Sequence, residues 1–87
     1  MEQRQQKFRR DISYLCKSFR KDVLRLTLRE LSDKTGEPIP TLSSFELGRS
    51  SNLRFLYIYL VSCETDDQKE LFITGFHKLL ERTYYNG

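Results

Sequence analysis

Hydrophobic side chains in the first third of the chain recur every three or four residues, which is the spacing of an amphipathic helix. Most of the charged side chains between them fall on the opposite face. The pattern predicts a first helix over residues 5–24, with Leu26 in the connection that follows. Its apolar face is formed by Phe8, Ile12, Leu15, Cys16, Phe19 and Val23.

The next segment carries the signals of a helix start and a helix stop in close succession. Thr27 and Glu30 have the spacing of a capping box, in which each side chain accepts a hydrogen bond from the other residue's backbone amide. A second helix is therefore predicted over residues 28–35, with Leu31 facing inward. Gly36 ends it, because glycine adopts the left-handed conformation of a helix C-terminus at little cost.

A third helix is predicted after a proline-containing turn. Proline disfavours the helical conformation in the residue before it, but it is accepted at the first position of a helix. The third helix is therefore predicted to begin at Pro40 and to run over residues 40–47. Leu42 and Phe45 would face the core, and Gly48 would end the helix.

A fourth helix is predicted over residues 53–62, capped by Ser51 or Asn52. This segment is apolar on every side, whereas the core needs only one face of a helix. The remaining apolar side chains are either covered by the last helix or form a dimer contact. The candidate dimer residues are Tyr57, Tyr59 and Phe76.

The last helix is predicted over residues 66–82, opened by a second capping box made by Thr65 and Gln68. The five helices together predict an all-α fold, with residues 1–87 forming one domain. The inward stripe of the last helix would consist of Leu71, Phe72, Gly75, Phe76, Leu79, Leu80 and Thr83.

The charge distribution is compatible with a nucleic-acid partner. The chain has 15 Lys and Arg against 12 Asp and Glu, a net charge of +3. Residues 1–29 hold nine of the cations and three of the acids, whereas the stretch 64–81 leans acidic. This balance permits nucleic-acid binding. Lys17, Arg20 and Lys21 either reach a phosphate at the end of the first helix or belong to a solvated face.

Other classes of function find no support in the sequence. Cys16 and Cys63 fit no metal-binding or redox spacing, so we expect two reduced thiols in a cytoplasmic protein and no metal or cofactor. His77 has no ligand-spaced neighbour and is expected on the surface. The longest apolar run, residues 55–61, is too short to cross a bilayer. No catalytic set of nucleophile, base and orienting group is visible, so we expect no enzyme.

The segment 27–49 resembles the helix-turn-helix family of lambda repressor and Cro, also called the Xre family. Thr27 stands at that family's cap and Gly36 at its turn glycine, and Gly48-Arg49 matches its common ending. Leu31, Ser32, Leu42, Phe45 and Glu46 occupy further matching positions. The resemblance implies a five-helix lambda-repressor-like DNA-binding domain. Its helix-turn-helix core would cover about residues 27–47, with the second helix of the pair lying in the major groove.

The candidate DNA contacts follow from this resemblance. Thr41, Ser43 and Ser44 would read bases or simply form a solvated face, and Ile39 would at most touch a thymine methyl group. Ser51 and Asn52 would cap the fourth helix, contact phosphate, or do both. The full candidate set is Thr27, Arg29, Ile39, Thr41, Ser43, Ser44, Arg49, Ser51, Asn52 and Arg54.

The expected function is that of a DNA-binding transcriptional regulator of phage or bacterial mobile-element type, which binds a double-stranded operator as a homodimer. The sequence departs from the family, however, at positions where the family's residues contact the DNA. The family usually has glutamine where Leu28 stands, and polar side chains where Ile39-Pro40 stands. These residues and Leu47 leave open an alternative: the fold serves as a protein-interaction module, such as an inhibitor or antirepressor of another regulatory protein or a polymerase.

Overall fold

The computed structural model describes residues 2–50 and 54–85, and within these ranges the regular structure is entirely helical. This confirms the predicted all-α fold with five α-helices in the described residues. A short π-helical segment, Arg20–Leu24, follows the first of them. The α-helices are α1 (Glu2–Phe19), α2 (Leu28–Thr35), α3 (Ile39–Glu46), α4 (Arg54–Val61) and α5 (Asp66–Tyr85).

The first helix does not continue as a regular α-helix to residue 24. After Phe19 the chain widens into the π-helical segment and ends at Arg25, which has a left-handed backbone with φ of 55°. The backbone amide of Leu26 donates to the carbonyl of Arg20 at 3.0 Å, which closes the end of the helix. Hydrophobic spacing could not predict this change, because the same apolar residues serve both helix types.

The capping box of α2 is confirmed. The amide of Glu30 donates to Thr27 Oγ1 at 3.1 Å, and the amide of Thr27 donates to Glu30 Oε1 at 2.8 Å. These bonds lower the pKa of Glu30, chiefly through the backbone amide of Thr27. Gly36 ends the helix as predicted, with φ of 81° and its amide donating to the carbonyl of Ser32.

Helix α3 begins one residue before the predicted start. Pro38 is its N-cap and Pro40 is the second helical residue, because the first amides of a helix need no internal partner and proline is tolerated there. The first helical hydrogen bond joins the amide of Leu42 to the carbonyl of Pro38 at 3.1 Å. The helix ends at Glu46, one residue earlier than predicted, and Gly48 follows with φ of 78°.

Helices α4 and α5 lie close to the predicted ranges. The predicted caps of α4, Ser51 and Asn52, lie outside the described residues. At the start of α5, Thr65 Oγ1 accepts a hydrogen bond from the amide of Gln68 as predicted. The side chain of Gln68 binds the amide of Glu64 rather than that of Thr65, so the second half of the predicted box is displaced by one residue.

All five helices contribute to one core. The rings of Phe45 and Phe55 stack with centroids 4.6 Å apart, and those of Phe19 and Phe72 lie 4.9 Å apart. Leu71 does not belong to the inward stripe of α5, because it is 58% exposed and Phe72 takes the core position. The core holds Ile12, Cys16, Phe19, Leu31, Leu42, Phe45, Phe55, Ile58, Tyr59, Cys63, Phe72 and Leu79.

Candidate nucleic-acid interface

Helices α2 and α3 are joined by a short turn that fixes their relative orientation. Leu31 and Leu42 are fully buried, one on each helix, so the pair is held together by core packing. The hydroxyl of Ser32 donates to the carbonyl of Glu37 at 2.6 Å and ties the turn to α2. The left-handed backbone of Gly36 reverses the chain between them. The result is a rigid two-helix unit.

The C-terminal end of α3 is anchored by a buried ionic network. Glu46 accepts hydrogen bonds from Arg20 Nε at 2.8 Å and Arg20 Nη2 at 2.9 Å. The hydroxyl of Tyr59 donates to the same carboxylate at 2.5 Å. Since Arg20 follows α1 and Tyr59 lies on α4, this network fixes α3 against both helices. The hydrogen bond to Glu46 raises the pKa of Arg20, and burial raises the pKa of Tyr59.

This network corrects two predictions. Arg20 is not a candidate phosphate contact, because its guanidinium is buried and bound in a bidentate pair to Glu46. Tyr59 is not a dimer contact, because it is fully buried in the core. One signal for Arg20 was present: it continues the inward spacing of Ile12 and Cys16 by one further turn.

The outer surface of α3 mixes apolar and hydroxyl groups. Ile39 is 39% exposed at its first position, and Pro40 beside it is exposed as well. Thr41, Ser43 and Ser44 are half-buried. The structure therefore brings together the four predicted base-contacting residues on one short helix. The available polar groups are small hydroxyls, which reach only a short distance.

Cationic side chains flank the two-helix unit. Arg29 is exposed on the first turn of α2, beside the exposed cap residue Thr27. Arg49 is exposed immediately after the turn that ends α3. These three predicted contact residues remain accessible to an anion.

Arg54 differs from the other candidate cations because it is bound to a carboxylate. Its guanidinium forms a bidentate ion pair with Glu37, in which Nη2 lies 3.3 Å from Oε2. This pair raises the pKa of Arg54, and the guanidinium also lies 4.9 Å from the ring centroid of Phe55. The sequence analysis did not predict this pair, which partly neutralises both groups.

The exposed part of α4 is smaller than the sequence indicated. Tyr57 is 67% exposed, and Val61, one turn later, is also exposed. Phe76 is partly buried and packs against the core. Phe55 and Tyr59 of α4 are covered through ring contacts with Phe45 of α3. Tyr57 is the predicted dimer residue that remains on the surface.

The described residues offer no cluster suited to metal binding, since no group of three or more His, Cys, Asp or Glu side chains comes together there. Cys16 and Cys63 are buried and unpaired, and burial raises the pKa of both thiols. His77 lies on the surface, as expected, with Nε2 at 2.7 Å from Glu81 Oε1. Among the described helices, none combines the length and apolar character needed to cross a membrane.

A scan against models of protein families, a search of curated proteins and a search of solved structures each gave no match.

Proposed function

We propose that this protein is a sequence-specific DNA-binding regulator with a lambda-repressor-like helix-turn-helix domain, of the phage or bacterial mobile-element type. It binds double-stranded operator DNA as a homodimer. In this proposal α2 crosses the sugar-phosphate backbone and α3 enters the major groove.

The observation that carries the proposal is the rigid unit of α2, the Gly36 turn and α3. Leu42 and Phe45 anchor α3 in the core, while Thr41, Ser43 and Ser44 remain partly exposed. A helix held this firmly reads bases with little loss of conformational entropy. The exposed cations Arg29, on the first turn of α2, and Arg49, shortly after α3, support contacts with phosphate.

The direct experiment is selection of bound fragments from random duplex DNA at low salt. We expect enrichment of a sequence with two related half-sites, separated by about 10 base pairs or a multiple of that spacing. The variant Thr41→Ala is expected to relax the preference at one base position in each half-site, because its hydroxyl is lost. Failure of the wild-type protein to enrich any sequence would overturn the proposal.

The phosphate contact proposed for Arg49 has a separate test. We expect Arg49→Ala to weaken binding to every duplex by a similar factor. It should also reduce the slope of log affinity against log salt by about 0.9, because one phosphate contact is lost. Lys78→Ala, which removes an exposed cation from α5, is the matched control and should leave the slope unchanged. Equal slopes for all three proteins would contradict the contact.

One observation favours a second candidate, a protein-interaction module that grips another regulatory protein. Ile39 and Leu47 stand exposed at the two ends of α3, and Leu47 is 57% accessible. An apolar interface loses little affinity as salt rises, whereas binding to DNA falls steeply. This second function would be favoured if the protein forms a complex with another protein that survives nuclease treatment and high salt, and if the selection from random duplex DNA enriches no sequence.

A further inference from the structure

The outward face of α1 carries a row of cationic side chains that the proposed recognition unit does not use. The row continues through the first residues of the π-helical segment, and every member is exposed. Its members are separated by three or four residues, so they share one face of the helix. We call this row the α1 stripe; it consists of Lys7, Arg10, Tyr14, Lys17 and Lys21.

The α1 stripe lies directly opposite the buried face of the same helix. Ile12, Cys16 and Phe19 point into the core, about half a turn away from the stripe at 100° per residue. The acidic residues Asp11 and Asp22 fall to one side of the stripe rather than within it. The charged members of the stripe are therefore all cationic, and its one uncharged member is the aromatic Tyr14, which is 72% exposed.

The cations of the α1 stripe also lack counter-charges in the part of the chain that the structure describes. Elsewhere on the surface, Lys34 pairs with Glu64 and Arg54 pairs with Glu37. No such pair forms at the four stripe cations. Like charges one helical turn apart, such as Lys17 and Lys21, repel each other and destabilise a helix slightly. A bound polyanion would relieve this repulsion.

The α1 stripe approaches the proposed recognition unit at two places. A side chain built at Gly48 would lie 3.3 Å from Cγ of Arg10, so Arg10 borders the turn that carries Arg49. At the C-terminal end of the stripe, Lys21 and Arg25 line an open groove together with Asp22 and the α2 cap residue Thr27. The α1 stripe thus borders both the turn after α3 and the start of α2.

We propose that the α1 stripe is a second, sequence-independent binding surface for the sugar-phosphate backbone of duplex DNA. The choice of duplex DNA as the polyanion rests on the proposed function. The stripe spans about 20 Å at 1.5 Å per residue. A duplex carries one negative charge per about 1.7 Å of its axis, so several phosphates lie within this length. The hydroxyl of Tyr14 is a further donor suited to phosphate.

The chemistry of the α1 stripe favours a nucleic acid over a membrane surface. A helix that lies in a lipid interface inserts an apolar face beside its cationic face. In α1 the apolar face is buried in the core, and among the described side chains of this helix Tyr14 is the one large hydrophobic group that is exposed. A row of fixed positive charges with hydrogen-bond donors is instead complementary to a chain of phosphates.

The test compares two triple variants that remove the same charge. The stripe variant is Arg10→Gln, Lys17→Gln and Lys21→Gln, and the control is Lys69→Gln, Lys78→Gln and Arg82→Gln on exposed positions of α5. The measurement is affinity for a duplex of arbitrary sequence over a range of salt. For the stripe variant we expect the slope of log affinity against log salt to become shallower by about 2 to 3. Its affinity should fall about a hundredfold near 0.1 M salt. The control should keep the wild-type slope.

Three outcomes would overturn the proposal. The stripe variant could keep the wild-type slope, or the control could lose as much as the stripe variant, which would mean that net charge alone is responsible. Equal competition by polyglutamate and by duplex at the same charge concentration would assign the α1 stripe to an acidic protein. Thermal unfolding of each variant checks that it folds. A variant that conserves the charges, Arg10→Lys with Lys17→Arg and Lys21→Arg, should bind duplex about as tightly as the wild type.

The same data separate this proposal from the proposed function. A protein that selects an operator but whose stripe variant binds as the wild type does would retain the function and lose the second surface. A protein that selects no sequence, yet binds any duplex through the α1 stripe, would lose the function and retain the second surface.

Discussion

Glu46 is the residue on which the position of α3 depends most. Its carboxylate is buried with the guanidinium of Arg20, and each oxygen accepts at least one hydrogen bond. Burial of two charges costs several kcal/mol each, and their attraction offsets this only while both partners are present. The network therefore fixes the end of α3 but leaves the fold sensitive to loss of either charge.

Glu46→Ala should lower the free energy of unfolding by about 3–5 kcal/mol, because it leaves the guanidinium of Arg20 buried without a counter-charge. The double variant Arg20→Met with Glu46→Leu should lose less, since it removes both charges and keeps the volume. Urea unfolding of the three proteins measures both effects. A double variant less stable than Glu46→Ala would contradict this account of the network.

Residue identities allowed part of this arrangement to be predicted. The core positions Leu31, Leu42 and Phe45 were predicted correctly from helical spacing. The network itself was not, because an arginine and a glutamate 26 positions apart reveal no pairing until the helices are assembled. Tyr59 was wrongly predicted as a dimer contact, because the sequence of a helix that is apolar on every side does not indicate which face packs in the core.

At the scale of single elements, local backbone chemistry determines where the helices begin and end. Thr27 and Gly36 were predicted as the limits of α2, and both occupy those places, because caps and left-handed turns depend on a few neighbouring residues. The π-helical segment and the left-handed Arg25 have no such local signature. In the folded chain the buried Arg20 spans this turn, donating from Nη1 to the carbonyl of Leu26 at 2.7 Å, and no nearby residue type indicates such a contact in advance.

The cap of α2 should respond to both mutation and pH. Thr27→Ala should cost about 1 kcal/mol, the usual value of an N-cap. Because the folded pKa of Glu30 is lowered, its ionised form stabilises the protein at neutral pH. That contribution falls as the pH drops below the ordinary glutamate pKa of about 4.3 and is lost below the lowered value.

The measurement for the cap is urea unfolding of the wild type and of Glu30→Gln from neutral pH to about pH 2. The two proteins should differ at neutral pH and converge in acid. A difference that stays constant over this range would contradict the assignment of the effect to the ionised carboxylate. Thr27→Ser keeps the acceptor oxygen and is the matched control, with stability close to that of the wild type.

The turn between α2 and α3 should tolerate only residues that accept a left-handed backbone. Gly36 has φ of 81°, and a side chain there would meet no atom within 4 Å. Gly36→Ala should therefore cost about 1–2 kcal/mol through backbone strain alone. Gly36→Asn should cost less, because asparagine adopts this conformation more readily. Thermal unfolding distinguishes the two, and equal losses would indicate a steric cause instead.

At the scale of the whole molecule, Tyr57 and Val61 are the apolar side chains of α4 that stay on the surface. In the proposed dimer they meet a second copy of the chain. Tyr57→Asp should shift the protein toward the monomer, because it places a charge in that interface. Sedimentation velocity over a range of concentrations measures the shift. Leu71→Asp, an exposed apolar position on α5, is the control, and an equal effect at both sites would place the interface elsewhere.

The measurement that tests the central claim most directly is the mapping of amide chemical shifts in labelled protein as a selected duplex is added at low salt. The account predicts the largest changes in α3 from Ile39 to Ser44 and at Arg49. The amide chemical shifts of the residues in the buried network around Glu46 should change little. Changes confined to α5, or no changes at saturating duplex, would contradict the claim that α3 meets the DNA groove.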